Sequence, residues 1–389
     1  MRRLAFFSAV LLLTGLTVPA NAHRQVRVPG AEYQQLAHLD DLTTAGTVAS
    51  GHTNPADYAG LTHSGLPQQS GVPGVQIDGY FPDTSHTNTN HGWNHDSQFV
   101  IRLPQRWNGG LVVSGSPGVR AQYANDKSIS DYVLSLGYAY AATDKGNTGA
   151  AFYTDGVKPG DAIVEWNLRT TQLARAARAT VAQYYGRPAR EVVAAGISNG
   201  GYLVRWQLEN HPELFTRGVD LEGTLWTADK NLFTFLPPAI KGYEQQSPEA
   251  IVAAGFDPRS DFLWNYHYTV YWKLTQRIYA AELDPTYTGA EADYDYASRP
   301  QAHQAVARIA LTGNIRKPLV TIHGTYDSLL PITQDSDVYA AMARHTGLHT
   351  YQRVEAGNHV DGLVDAYPDR LVPLVPLLQQ AIAQTKREW

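Results

Sequence analysis

Beyond residue 110 the chain repeats one pattern, a short apolar run followed by a longer amphipathic stretch. The runs are Leu111-Val112-Val113, Ala139-Tyr140-Ala141-Ala142, Val192-Val193-Ala194-Ala195, Val219-Asp220-Leu221 and Leu319-Val320-Thr321-Ile322. Apolar runs without alternation fit strands covered on both faces, and the helical stretches between them suit parallel crossovers. Ahead of them, residues 75–80 alternate like a half-exposed strand and residues 97–103 resemble its antiparallel partner at one edge. The longest predicted helix is Asp161 to Tyr185, with Leu168, Leu173, Ala176, Ala177 and Val181 at helical spacing before Gly186 and Pro188 end it. Residues 351–354 read as the last strand.

Two regions depart from the pattern. Residues 23–70 are rich in Gly, Thr, His and Gln with little periodicity, so they read as an irregular N-terminal segment. Between Leu225 and about Ala305 the strand-helix alternation stops. Residues 226–304 are therefore expected to be a helical cap inserted into a core of residues 23–225 and 305–389, with Trp264, Tyr268 and Trp272 as candidates to line a pocket beneath it.

At the start of the chain, Met1-Arg2-Arg3 precedes an apolar run from Leu4 to Val18, and Ala20-Asn21-Ala22 offers a small-x-small cleavage site. This reads as a secretory signal peptide, too short in its apolar part to favour a membrane anchor. Removing residues 1–22 takes away Arg2 and Arg3 and no acid, leaving 29 basic against 36 acidic residues and a net charge of −7. An acidic surface argues against nucleic acid as a partner. The chain has no cysteine, so stability in an oxidising compartment rests on core burial without disulfides.

The stretch Gly196-Ile197-Ser198-Asn199-Gly200 follows the run 192–195 and precedes a helix expected over 201–210. G-x-S-x-G between strand and helix is the pattern of a nucleophile elbow, where glycines relieve crowding around an exposed serine. A serine hydroxyl attacks only when a base takes its proton, and that base needs a carboxylate to hold its tautomer. Asp327, four positions past the strand ending near His323, is the expected acid. Glu222, Asp335 and Asp337 are its alternatives. His359, in "VEAGNHVDG", is the expected base, and His323 is a second histidine at the same edge. The chain order Ser198, Asp327, His359 is that of α/β-hydrolases.

The oxyanion needs two backbone donors. Asn199 supplies one, and Gly118 or Ser116 of "SGSPGVR" supplies the other, because Pro117 has no N–H. Asp144, in "ATDKG", ends a buried strand where it can meet substrate or pair with Lys145. His86, His91 and His95 share one polar loop but match no compact metal-ligand spacing, and no metal is expected. Neither a phosphate loop nor a dinucleotide fingerprint is present, so no cofactor is inferred.

The stretches "SGSPGVR", "ATDKG" and "ISNGG" together resemble segments of bacterial D-(-)-3-hydroxybutyrate oligomer hydrolases, with a looser likeness to tannase and feruloyl esterase-type enzymes. The likeness spans about residues 97–225 and 317–365. It implies an α/β-hydrolase fold and ester hydrolysis through Ser198, Asp327 and His359. The implied substrates are hydroxyalkanoate oligomers or polyester fragments, with aryl esters or peptides as alternatives on the same fold.

Overall fold

The computed structural model describes residues 26–48 and 54–384; the leader read over residues 1–22 lies outside them. Nine strands form one sheet: β1 (Tyr33–Leu39), β2 (Gly74–Tyr80), β3 (Gln98–Pro104), β4 (Gly110–Gly115), β5 (Ala139–Thr143), β6 (Glu191–Ile197), β7 (Arg217–Leu221), β8 (Leu319–Gly324) and β9 (His349–Val354). Their spatial order is β1-β2-β3-β5-β4-β6-β7-β8-β9. The pairings β1/β2, β2/β3 and β3/β5 are antiparallel, and every pairing from β5 to β9 is parallel.

The unalternating apolar runs are explained by burial on both faces. Along β4, Leu111 and Val113 belong to one core while Val112 belongs to the other; along β6, Val192 and Ala194 face one way and Val193 and Ala195 the opposite way. One face is covered by α3 (Asp161–Tyr185) and α4 (Asn199–Asn210). The other is covered by α2 (Asp131–Ser135) and α11 (Val375–Ala383). The short α1 (Thr44–Thr47) is tied to α2 by hydrogen bonds from Thr44 to Asp131, and α10 (Ser336–Ala343) lies between β8 and β9. Helix α3 occupies the predicted span and stops at Gly186, whose φ of 72° is left-handed. Leu168, counted above on its apolar face, is instead 57% exposed.

Between β7 and β8 the chain leaves the sheet and forms α5 (Leu232–Glu244), α6 (Pro248–Ala253), α7 (Asp261–His267), α8 (Lys273–Leu283) and α9 (Pro300–Ala307). A π-helical turn, Tyr268–Trp272, joins α7 to α8. This excursion is anchored to the core by directed contacts. Trp272 Nε1 donates to the Ser328 carbonyl at 2.7 Å, and the Glu282 carboxylate accepts from the Ala162 N–H at 2.9 Å.

The segment 23–70 is not wholly irregular, because it contributes β1. That strand, Tyr-Gln-Gln-Leu-Ala-His-Leu, is an edge strand lying largely in solvent, with Tyr33 and Leu36 both exposed. Backbone pairing with β2 holds it, so no hydrophobic alternation was required of its side chains.

Candidate active site

The site is assembled where β6, β7, β8 and β9 end. Ser198 follows β6 with φ 57° and ψ −122°, a conformation disfavoured for a residue with a side chain. Its neighbours hold it there: Ser198 N–H donates to Leu221 O at 2.9 Å, while Ser198 O accepts from Tyr202 and Thr224 at 3.0 and 3.2 Å. Strand and helix approach so closely that a Cβ at Gly196 would run into the Gly200 carbonyl, and one at Gly200 into the carbonyl of Gly115. The two glycines of the motif are thus spatial requirements of the turn, and the second also seats it against the end of β4. The Ser198 hydroxyl does not cap α4.

Asp327 and His359 are brought together by a second close approach. A Cβ at Gly324 would collide with the backbone of Gly357. The loops after β8 and β9 are joined by Thr325 N–H to Val354 O and Tyr326 N–H to Gly357 O, both 2.8 Å. His359 Nδ1 then lies 2.7 Å from Asp327 Oδ2. The same oxygen meets His323 Nε2 at 3.0 Å, and Asp327 Oδ1 accepts the N–H groups of Leu329 and Leu330 at 2.8 and 2.7 Å. Burial pushes this carboxyl up, but His359 and His323 outweigh it and hold Asp327 well below the usual carboxylate range. It is therefore an anion with four donors around it.

The alternatives for the acid have other fates. Glu222 follows β7 with a left-handed φ of 51°. Its Oε1 accepts from Gly324 N–H at 3.1 Å, and its Oε2 is 3.6 Å from His359 Nδ1. Burial and the charge on Asp327 push the Glu222 carboxyl well above the usual carboxylate range. Asp335 accepts from Arg205 and from Leu225 N–H, and Asp337 from Tyr351 and Arg353. His323 is buried, with Nδ1 at 2.7 Å from Ser336 Oγ, so it braces Asp327 from behind. Glu222, His323 and Asp327 bring ligand-type atoms within 4.8 Å of one another, a grouping of the kind that can hold a metal. The bonds of Asp327 to His323 and of Glu222 to Gly324 already account for much of that closeness.

Among the described residues His359 makes one side-chain hydrogen bond, to Asp327, and none to Ser198. Such contacts between nucleophile and base are commonly long before substrate binds. Of the two candidates for the second oxyanion donor, Ser116 has its N–H engaged by Thr143 O at 3.3 Å. Gly118, with φ 50°, accepts from the Asn199 side-chain amide at 3.0 Å, so Asn199 and Gly118 are direct neighbours.

Asn199 also reaches the helical excursion. Its amide nitrogen is 2.6 Å from the Tyr279 hydroxyl on α8, and its oxygen accepts from Thr224 Oγ1 at 3.0 Å. Tyr279 was one ring among many in that stretch, and nothing in its spacing singled it out. His267, at the end of α7, was likewise unmarked. It is buried, senses both Asp327 and His359, and is pushed down to about 4 by burial, so it stays uncharged beside them.

The four residues expected to contact substrate all have partners within the protein. Asp144 is fully buried and accepts from Asn88 Nδ2, Gln98 N–H and Gly146 N–H at 2.8, 2.9 and 2.8 Å. Trp264 donates to Ser260 Oγ inside the core of the excursion, and Trp272 is fully buried against Ser328. Tyr268, half-buried, stacks on Tyr243 and donates to Glu244 at 2.9 Å. In the polar loop His86 meets Asn94 O, His95 meets Asp96 O and His91 meets the Tyr123 hydroxyl, each on its own partner.

Solved structures of similar fold include two esterases. Feruloyl esterase B from Aspergillus oryzae superposes with a TM-score of 0.58 at 11% identity, covering 86% of this chain and 81% of that one. Another Aspergillus oryzae esterase gives 0.53 at 11% over the same shares. The fold is that of the α/β-hydrolases. The family described as 3HB-oligomer hydrolase matches residues 249–386, and the prolyl oligopeptidase family matches residues 128–251. A D-(-)-3-hydroxybutyrate oligomer hydrolase from Cupriavidus necator is 38% identical over 114 residues, covering 25% of this chain and 16% of the relative. The chain thus aligns with about a sixth of that relative's length. The family match runs through much of the helical excursion, which the sequence resemblance had left aside. No helix among the described residues is long and apolar enough to cross a membrane.

Proposed function

We propose that this α/β-hydrolase is a secreted serine ester hydrolase acting on 3-hydroxybutyrate oligomers or related polyester fragments. The observation that carries the reading is the serine held at φ 57° on the turn from β6 to α4, at the same sheet edge as a His359–Asp327 pair 2.7 Å apart. In this reading His359 Nε2 takes the proton of Ser198 Oγ as the oxygen attacks the ester carbonyl carbon. Nδ1–H stays on the ionised Asp327, which stabilises the imidazolium. The backbone N–H groups of Asn199 and Gly118 receive the negative oxygen. The imidazolium protonates the leaving alcohol, and a water activated by the same nitrogen then frees the acid from the serine.

The substrate class rests on the similarity to the Cupriavidus necator oligomer hydrolase and on the family match over residues 249–386. Secretion rests on the residue pattern of positions 1–22. Peptide hydrolysis is a second reading, favoured by the prolyl oligopeptidase match over 128–251, the stretch that contains Ser198. Ser198→Ala is expected to fold normally and to lower p-nitrophenyl ester turnover to near background; a variant keeping most of its rate would place the nucleophile elsewhere. Profiling the purified protein across hydroxybutyrate oligomers, feruloyl esters and peptides decides the substrate, and a clear preference for peptides would reject the ester reading.

A further inference from the structure

A buried carboxyl stands beside the Asp327–His359 pair without a place in the mechanism above. Glu222 Oε2 is 3.6 Å from His359 Nδ1, and it is buried with no hydrogen-bond partner among the described residues. The carboxyl is held in place from both ends. Glu222 N–H donates to Ile322 O at 2.9 Å, extending the β7/β8 pairing, and Oε1 accepts from Gly324 N–H at 3.1 Å. An orphaned buried oxygen is costly, as is a left-handed backbone at a residue with a side chain, and here both occur in one residue aimed at the base.

We propose that Glu222 is a second acid for His359, a positioning residue that accepts the Nδ1 proton's hydrogen bond when the Asp327 carboxylate is absent. Resting on the triad reading above, this role follows from the count of charges at the site. Two carboxylates this close cannot both ionise at ordinary cost, so one remains protonated while the other is an anion. Asp327 has four donors and Glu222 one, so Asp327 holds the charge. Removing the Asp327 charge removes the main repulsion on Glu222, and the imidazolium formed during attack then favours its ionisation. A closing movement of well under 1 Å brings 3.6 Å to a hydrogen-bond length near 2.9 Å. The groups facing Glu222 are Asp327, His359, His323, Asp220 and Asp361.

The experiment compares kcat and its pH profile, on a p-nitrophenyl ester, for wild type, Asp327→Asn, Asp327→Ala, Glu222→Gln and the double variants, with folding checked by circular dichroism. Losing a triad acid without a substitute lowers kcat by about 10⁴-fold. The expected result is a loss of roughly 10²- to 10³-fold for either Asp327 variant, and at least a further tenfold when Glu222→Gln is added. The single Asp327 variants should also show a rising alkaline-going limb, from ionisation of Glu222, that disappears in the doubles. Equal rates for single and double variants, in both the Asn and the Ala background, would overturn the proposal. An active Ser198→Ala protein would instead overturn the triad reading on which it rests.

Discussion

Two aspartates stand just past the ends of buried parallel strands, Asp144 after β5 and Asp327 after β8, and they are opposite in character. Both are fully buried. Asp327 is surrounded by donors that include two imidazoles, and it is held as an anion. Asp144 receives three neutral donors, yet burial, with Asp96 nearby, pushes it up to about 7. Its chain neighbour Lys145 does not pair with it. The Lys145 ammonium turns to the Ser116 hydroxyl and lies over the Trp166 ring, and burial pushes it down to about 7. At Asp144 the three donors do not offset burial and the repulsion of Asp96, whereas at Asp327 the two imidazoles outweigh burial. The end of β8 thus holds a carboxylate on His359, while the end of β5 is tied through Lys145 to Ser116 in the loop that carries Gly118.

The comparison can be broken most directly by exchanging each carboxylate for its amide. Asp327→Asn is expected to lower kcat by roughly 10²- to 10³-fold, and Asp144→Asn to leave kcat within about threefold of wild type in folded protein. Comparable losses at the two positions, measured by steady-state ester hydrolysis, would mean that Asp144 touches substrate after all.

The stability profile sharpens it next. Asp144 has a folded pKa near 7 against an ordinary 3.8, so the folded protein holds more protons between those values and loses stability as pH rises from about 4 to 7. Lys145 has a folded pKa near 7 against an ordinary 10.5, so stability returns as pH rises from about 7 to 10.5. Urea unfolding across pH should show a dip near neutrality from this pair. Asp144→Asn should flatten the acid side and Lys145→Met the alkaline side, and an unchanged dip in both would remove the assigned cause.

A smaller effect is expected at the contact between the excursion and the serine turn. Tyr279→Phe removes the hydroxyl bonded to Asn199 and should cost about 1 kcal/mol of stability, read from thermal or urea melts. Its kcat should fall by a few-fold, because Asn199 also secures the Gly118 loop. A fall no larger than experimental error would separate the excursion from the positioning of the oxyanion donors.

Much of this architecture was legible along the chain, for a reason that also marks the limit. Period and run length record which faces of a segment are covered, and so the strands β4 to β8, the long helix and the serine turn could be read locally. The order Ser198, Asp327, His359 was legible too. Strand β1 was not, because an edge strand held by its partner's backbone has no need of an apolar face. The excursion's aromatic residues could be counted but not sorted. Burial against Ser328 sends Trp272 inward, and the reach of α8 to Asn199 places Tyr279 at the site.

By itself, then, the sequence determined the α/β layering and the placing of a serine on a strand-to-helix turn, since both follow from contacts between near neighbours along the chain. Only the tertiary structure decided which carboxyl is charged. Asp327, Glu222 and Asp144 are all acids at strand ends, and the direction in which each is shifted is set by burial and by the imidazoles, amides and other acids that reach it from distant segments.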